Sequence, residues 1–242
     1  MLLALISDIH SNLQALEAVL GRIEAMGIEE VVCLGDVVGY GADPNACLDR
    51  VRSVSSRVIM GNHDAAAVGM TPVEYFNPAA RTAALWTGRQ LGEENQAYLR
   101  NLPYGAEFED FRIVHSTPDV PSAWKYLLTA DSALLQFDYF DGPLLFYGHT
   151  HVPLAFDLLE SGDIAVREDY ELALEDGHRY IINAGSVGQP RDGDPRAAFA
   201  VYDSRGPKVT ILRQEYDIRL AQRRILEAGL PPILAERLSF GS

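Results

Sequence analysis

The chain has 242 residues, with 34 acidic against 20 basic side chains and a formal net charge of −14. That length allows one domain with a sizeable core, and 48% hydrophobic with 22% charged residues is the composition of a folded protein, not of a disordered one. The acidic balance disfavours long nucleic acid, whose binding leans on Lys and Arg, and Lys occurs only at 125 and 208.

Leu2 to Ile6 is a short continuous apolar run, as expected of a strand buried on both faces. It is too short for a signal sequence, has no basic flank and ends in a charge. No segment approaches the roughly 18 apolar residues of a membrane span, so a soluble, cytoplasmic protein without a membrane partner is expected. Ser11 or Asn12 can cap a helix with the apolar stripe Leu13, Leu16, Val19, Leu20 and Ile23, ended by Gly27. Glu30 to Leu34 reads as a second strand and contains Cys33. The spacing of Cys33 and Cys47 forms no metal pattern, and Cys33 reads as a buried, reduced thiol. Asp43-Pro44 opens a helix carrying Leu48 and Val51, and Val58 to Met60 is a third strand. Strand, helix, strand, helix, strand is the signature of a parallel α/β sheet.

From Ala65 to about Pro103 the pattern turns helical. Asn77-Pro78 opens one helix, and Tyr98, Leu99 and Leu102 sit on a second. This stretch reads as an insert of about residues 65–103 over one sheet edge, within a single domain spanning 1–242. Strands then dominate. Phe108 and Phe111 to Val114 form a hairpin about Glu109-Asp110. Leu144 to Tyr147, Ile164 to Leu172, Tyr180 to Ile182, Ala198 to Tyr202 and Val209 to Leu212 follow. Ile218 to Leu238 returns to helix, broken at Gly229 to Pro232. One domain with a sandwich of sheets is the simplest architecture.

Five of the six histidines fall at the ends of predicted strands, beside Asp, Asn, Gly or Ser. The clusters are Asp8-Ile9-His10, Gly35-Asp36, Gly61-Asn62-His63-Asp64, Val114-His115-Ser116 and Gly148-His149-Thr150-His151. Residues two apart on a strand share a side, so Asp8 with His10 and His149 with His151 can reach common centres. Loops beyond the carboxyl ends of strands converge in open α/β sheets, and the glycines at 35, 61 and 148 allow close backbone approach. Imidazole and carboxylate donors suit Mn, Fe, Zn, Ni or Co better than Ca. Asp8, His10, Asp36, Asn62, His115, His149 and His151 are too many donors for one catalytic ion. They suit two divalent ions sharing a carboxylate. His178, in a polar turn, reads as an ordinary satisfied core or surface group, not a ligand.

The ordered series D-x-H, G-D, G-N-H-D, a lone His and G-H-T-H resembles the calcineurin-like metallophosphoesterase superfamily, from Asp8 to about Asp192. GDVVGYGADP and NAGSVGQPRD resemble its small bacterial and archaeal phosphodiesterase branch. The resemblance implies an α/β fold, a four-layer αββα sandwich of two mixed β-sheets flanked by helices, and a binuclear centre. It implies that Asp8, His10 and His151 bind the first ion, that Asp36 bridges, and that Asn62, His115 and His149 complete the second. His63 would contact phosphate as general acid, with Asp64 orienting it.

In the two-metal mechanism, ions roughly 4 Å apart hold a bridging water, lower its pKa and clamp the phosphoryl oxygens, and the hydroxide attacks phosphorus. His63 next to Asn62 would diverge from the ligands and be free to donate a proton, or would serve only as a loop hydrogen bonder. Asn12 could contact phosphate or only cap its helix. Arg191 could clamp a phosphate or pair with Asp192 or Asp194. Tyr40, Tyr75 and Trp86 are candidates for a substrate pocket, with core packing the better reading of Trp86. The expected substrate is a small or nucleotide-like phosphodiester. A phosphomonoesterase, a protein phosphatase and a nuclease are the competing activities. A non-catalytic scaffold should have lost ligands, and this chain keeps them. Nothing in the sequence fixes the oligomeric state.

Overall fold

In the computed structural model, which describes residues 2–242, the first apolar run forms β1 (Leu2–Ile6). Its side chains alternate as the strand period requires. Leu3 and Leu5 enter one buried cluster, and Ala4 and Ile6 another. After it, α1 (Leu13–Ala25) is capped by Asn12, whose side chain accepts the Ala15 N–H. The helix lays Leu16, Val19, Leu20 and Ile23 against the Ala4 and Ile6 face. Next come β2 (Glu30–Cys33), α2 (Pro44–Val54) and β3 (Ser55–Val58), with β1, β2 and β3 parallel. The strand expected over Val58 to Met60 thus ends at Val58. Ile59 and Met60 lie beyond it, donating their N–H groups to Cys33 and Pro103 carbonyls.

Helices α3 (Asn62–Ala67), α4 (Pro78–Gln90) and α5 (Glu93–Arg100) fill the stretch read as helical. The expected hairpin is present as β4 (Gly105–Glu107) and β5 (Arg112–Val114), closed by Phe108 N–H on the Phe111 carbonyl. Then follow α6 (Ala130–Gln136), β6 (Leu144–Tyr147), β7 (Leu154–Leu158), β8 (Ile164–Arg167), β9 (Glu171–Ala173), β10 (Arg179–Asn183), β11 (Ala197–Asp203) and β12 (Lys208–Gln214). Helices α7 (Ile218–Glu227) and α8 (Pro232–Glu236) close the chain on either side of the expected break at Gly229 to Pro232.

The strands make two mixed six-stranded sheets, ordered β3-β2-β1-β11-β12-β9 and β4-β5-β6-β10-β7-β8. Leu3, Leu5, Val32, Phe146, Ile182 and Ala200 fill the space between them. The outer face of the first sheet is covered by α1 and α2, through Leu16, Val19, Leu48 and Val51. The outer face of the second meets α6 and its extension, through Ala133 and Phe137. Helix, sheet, sheet, helix is the αββα order that the resemblance implied. The apolar burial in each layer, on the order of 1.5–3 kcal/mol for each large side chain, drives the stacking.

Two features depart from the sequence reading. The run Ile164 to Leu172 is not one strand. Its first part, β8, edges the second sheet beside β7, and its last part, β9, edges the first sheet beside β12. The chain changes sheets between them. The sequence reading also passed over β7, because Asp157 interrupts its apolar pattern. That carboxylate is only 2% exposed, and it accepts from Arg167 at 3.1 Å and from His178 Nδ1 at 2.8 Å. His178 is therefore a satisfied, partly buried side chain in a cluster about Asp157, in keeping with its reading as an ordinary group and not a ligand.

Candidate metal centre

Asp8, His10, Asp36, His149 and His151 all lie just past strands, yet none has extended backbone. Their φ values are 53°, 51°, 53°, 66° and 63°, in the left-handed region that non-glycine residues seldom enter. Each such residue costs on the order of 1 kcal/mol or more and persists only where its surroundings dictate it. The pairs at i and i+2 thus converge through turns, not through the pleat of a strand. Asn62 and His63 lie in the first turn of α3, where neighbours point roughly 100° apart. Two glycines make room. A Cβ at Gly61 would lie 2.1 Å from Asp36 Oδ1, and one at Gly148 would lie 2.0 Å from Ser7 Oγ and 2.6 Å from Asp8 Oδ2.

All seven expected donors are buried and face one another. Asp8 Oδ1 lies 3.2 Å from His151 Nε2, which lies 3.0 Å from His10 Nε2. Asn62 Oδ1 lies 2.9 Å from His149 Nδ1 and 3.2 Å from His115 Nε2. Asp36 Oδ2 sits between these groups, 3.7 Å from His10 Nε2 and 3.4 Å from His115 Nε2. Asp8 belongs to the first sheet and accepts the backbone N–H of His149 from the second, at 3.0 Å and 3.2 Å.

The outward ring nitrogens are already engaged. His10 Nδ1 faces the Val38 carbonyl at 3.1 Å, His115 Nδ1 the Leu34 carbonyl at 2.8 Å and His151 Nδ1 the Gln189 carbonyl at 2.6 Å. His149 Nε2 faces the Trp124 carbonyl at 3.0 Å. A carbonyl only accepts, so each of these nitrogens carries the proton, and the opposite nitrogen aims a lone pair inward. Four inward lone pairs, two carboxylates and an amide oxygen, at 2.9–3.7 Å, form a nest of acceptors. Such a nest is satisfied by cations or by added protons.

The electrostatics express the same demand. Burial alone would raise the Asp8 and Asp36 carboxyls, but nearby imidazoles, His151 for Asp8 and His115 for Asp36, hold both well below the usual range. Burial would lower His115, but the charge of Asp36 and the hydrogen bond to it push it up to about 9. Burial lowers His10 and His151, and it takes His149 down to about 3. In other words, the site pulls in one proton at His115 and keeps its other rings neutral.

The remaining candidates divide. The His63 ring packs 4.3 Å from Tyr40 and 4.9 Å from Phe76, centroid to centroid, and burial lowers its pKa to about 4. Its ligand atom also lies within 4.8 Å of those of His10 and Asp36. Asp64 does not orient it. The Asp64 carboxylate accepts the Val38 N–H at 3.0 Å and the Gly61 N–H at 3.1 Å, the reach-back of a third helical residue to the N-cap. Burial, and then the charge of Asp36, raise its pKa to about 7. His63 Nδ1 has no hydrogen-bond partner among the described residues.

Asn12 caps α1 and donates to the Gly188 carbonyl at 2.9 Å. Both ends of its amide are engaged, so its phosphate role is not carried forward. Arg191 does not pair with Asp192 or Asp194, which bind Arg213 and Arg196. It donates instead to Gln189 Oε1 at 2.9 Å and to Tyr40 Oη at 3.3 Å, and its Nε is buried without a partner among the described residues. Tyr40 and Tyr75 line a cavity above His63 and His149, and Trp86 packs among helices, as its apolar position suggested. Trp124 and Tyr126 line the same cavity and were not anticipated. The only cue was two aromatics around Lys125 in the loop after His115.

Residues 1–206 match the family model of the calcineurin-like phosphoesterase superfamily domain. The chain belongs to that superfamily. It is a metal-dependent phosphoesterase. It is 41% identical to an uncharacterised protein of Methanocaldococcus jannaschii, over 99% of this chain and 98% of the relative. The crystal structure of a metallophosphoesterase from Sphaerobacter thermophilus matches with a TM-score of 0.89 and 42% identity, covering 100% of this chain and 99% of that one. A hypothetical protein of Pyrococcus horikoshii shares the fold, with a TM-score of 0.78 and 21% identity over 100% of this chain and 98% of its own. No helix among the described residues is long and apolar enough to cross a membrane.

Proposed function

We propose that this phosphoesterase holds two divalent transition-metal ions and hydrolyses small or nucleotide-like phosphodiesters. The inward lone pairs of four histidines, facing two carboxylates and an amide oxygen, carry the reading. Asp8, His10 and His151 would hold one ion, and Asn62, His115 and His149 the other. Asp36 Oδ2, standing between the two groups, would be shared. Mn, Fe, Zn, Ni and Co fit this nitrogen and oxygen donor set. When bound, such a pair supplies Lewis acidity and lowers the pKa of a coordinated water.

The backbone carbonyls of Val38, Leu34, Gln189 and Trp124 fix the ring orientations. Arg191, with its unpartnered Nε, would hold a phosphoryl oxygen. His63 is neutral in the free protein, because burial lowers its pKa to about 4, and it would take up the proton it delivers to the leaving oxygen once an anionic phosphate lies beside it. The stretch 65–103, read as an insert in the same domain, would shape access. The net charge of −14 favours a small ester over a polyanion. The free, buried Cys33 and Cys47 fit a reducing compartment, and we place the protein in the cytoplasm.

The test compares kcat/KM for a model diester, its monoester and a single-stranded oligonucleotide, with one metal and one salt concentration. The diester should lead. An oligonucleotide advantage that falls steeply with salt would establish a nuclease instead.

A further inference from the structure

A cavity of about 750 Å³ opens above the centre, with Asn62, His63 and His149 among the residues lining it. A phosphate fills a small part of such a volume, which is in the range of sites for drug-sized ligands. Tyr40, Tyr75, Phe76, Tyr104, Trp124 and Tyr126 contribute to its walls, and among the described residues no Asp, Glu, Lys or Arg lines it. Arg191 is not among the lining residues. Arg191 stands beside the centre, where its charge acts on His63 and His151, and the described residues lining the cavity carry no Asp, Glu, Lys or Arg charge.

We propose that this cavity binds a planar, uncharged aromatic group, a nucleobase or an aryl ring, carried on the leaving-group side of the scissile phosphate. The assignment rests on the phosphoesterase reading above and names the substrate class for it. The leaving side follows from His63. In hydrolysis, water forms the new bond to phosphorus, the bond to the leaving oxygen breaks, and the proton that the water sheds passes to solvent, from which His63 is reprotonated. The electron pair stays on that oxygen, which takes a proton from His63 and departs as an alcohol. The alcohol must lie where His63 lies, and His63 borders the cavity.

Several observations favour an aromatic occupant over an aliphatic or charged one. Tyr126 is 55% exposed, and its ring stacks on that of His149 with centroids 4.2 Å apart and planes at 27°. Tyr75 is 91% exposed at the rim. Such rings offer faces on which a base or an aryl group can stack. A second phosphate or an acidic peptide would require Lys or Arg in the walls. The wall is also tied to the centre. Trp124, at φ 55°, gives its carbonyl to His149 Nε2 and its indole N–H to Thr71 Oγ1 at 3.0 Å. It thus joins the loop after His115 to the segment before α4.

The test is isothermal titration of metal-reconstituted protein with inorganic phosphate, ribose 5-phosphate, phenyl phosphate and 5′-AMP. The ring-bearing esters should bind about tenfold or more tighter than ribose 5-phosphate. Phenyl phosphate equal to AMP assigns the cavity to aryl rings in general, and AMP well ahead assigns it to nucleobases. Tyr126→Ala should remove most of the ring advantage, and Tyr126→Phe should keep it. The ratio of ring-bearing ester to phosphate is read within each variant, so a general loss cancels. Equal binding of all four ligands, or a ratio unmoved by Tyr126→Ala, overturns the cavity assignment and leaves the metal centre standing. Failure of phosphate itself to bind in a metal-dependent way overturns both.

Discussion

Asp36 accepts the backbone N–H of His63 on Oδ1 at 2.8 Å, while its Oδ2 turns toward His10 and His115. One carboxylate therefore fixes the turn that carries the proposed acid and stands at the proposed bridge. Asp36→Asn keeps an acceptor for His63 but removes the bridging charge. Elemental analysis of the variant should show loss of at least one of two ions, with metal affinity weakened by more than about 100-fold. Two ions retained per chain with full activity would remove Asp36 from the bridge.

His63 lies close enough to His10 and Asp36 that distance alone does not separate an acid from a ligand. His63→Ala separates them. As an acid, the residue should be dispensable for both ions, and its loss should slow an alkyl diester by about two to four orders of magnitude. A nitrophenyl diester, whose leaving group needs no proton, should suffer much less. Loss of an ion, or equal losses for both esters, would contradict the acid role.

Removing the metal should expose the repulsion within the nest of acceptors. A ligand at 100 times its Kd stabilises by about 2.7 kcal/mol, so chelation should lower Tm by roughly 5–10 °C. In the metal-free protein the pH dependence is a balance in which the lowered histidines predominate. Burial lowers His63 to about 4 and His149 to about 3, below the ordinary value of about 6.5. A lowered pKa contributes stability that is lost as pH falls from the unfolded value through the folded one. His63 and His149, with the lowered His10 and His151, therefore make Tm in chelator fall between pH 7 and pH 5, opposed by His115 and Asp64, whose raised values of about 9 and about 7 favour the folded state at the lower pH. An equal Tm at the two pH values would show that the buried neutral rings do not outweigh His115 and Asp64.

Asp157 provides a stability test away from the centre. It is nearly inaccessible and holds Arg167 and His178. Because Arg167 is 40% exposed, its share is screened by solvent. Asp157→Ala should cost on the order of 2 kcal/mol, the worth of a charged hydrogen bond, measured by urea unfolding. Metal content at a permissive temperature should be intact. A change below about 0.5 kcal/mol would make the cluster incidental.

The donors of the centre were legible because each follows an apolar run, a pattern that ordinary surface histidines do not show. The backbone that brings them together was not. Positive φ at Asp8, His10, Asp36, His149 and His151 leaves no mark in the identities of those residues. The partner of Asp64 was misread for a related reason. The resemblance implied His63, whereas the first turn of α3 aims the carboxylate back at Gly61. The switch of sheets between Arg167 and Glu171 was hidden because β8 ends and β9 begins on a charged residue and a short connection looks like continuity. Helix α6 escaped because it is one short segment with Leu134 and Leu135 exposed.

The donors are divided between the two sheets. Asp8, His10, Asp36 and Asn62 follow β1, β2 and β3, and His115, His149 and His151 follow β5 and β6. Neither sheet can make the nest alone. During refolding, cobalt added from the start should therefore gain its visible absorption only when one sheet has closed on the other. The colour would serve as a clock for that late event, separate from the earlier growth of helical signal.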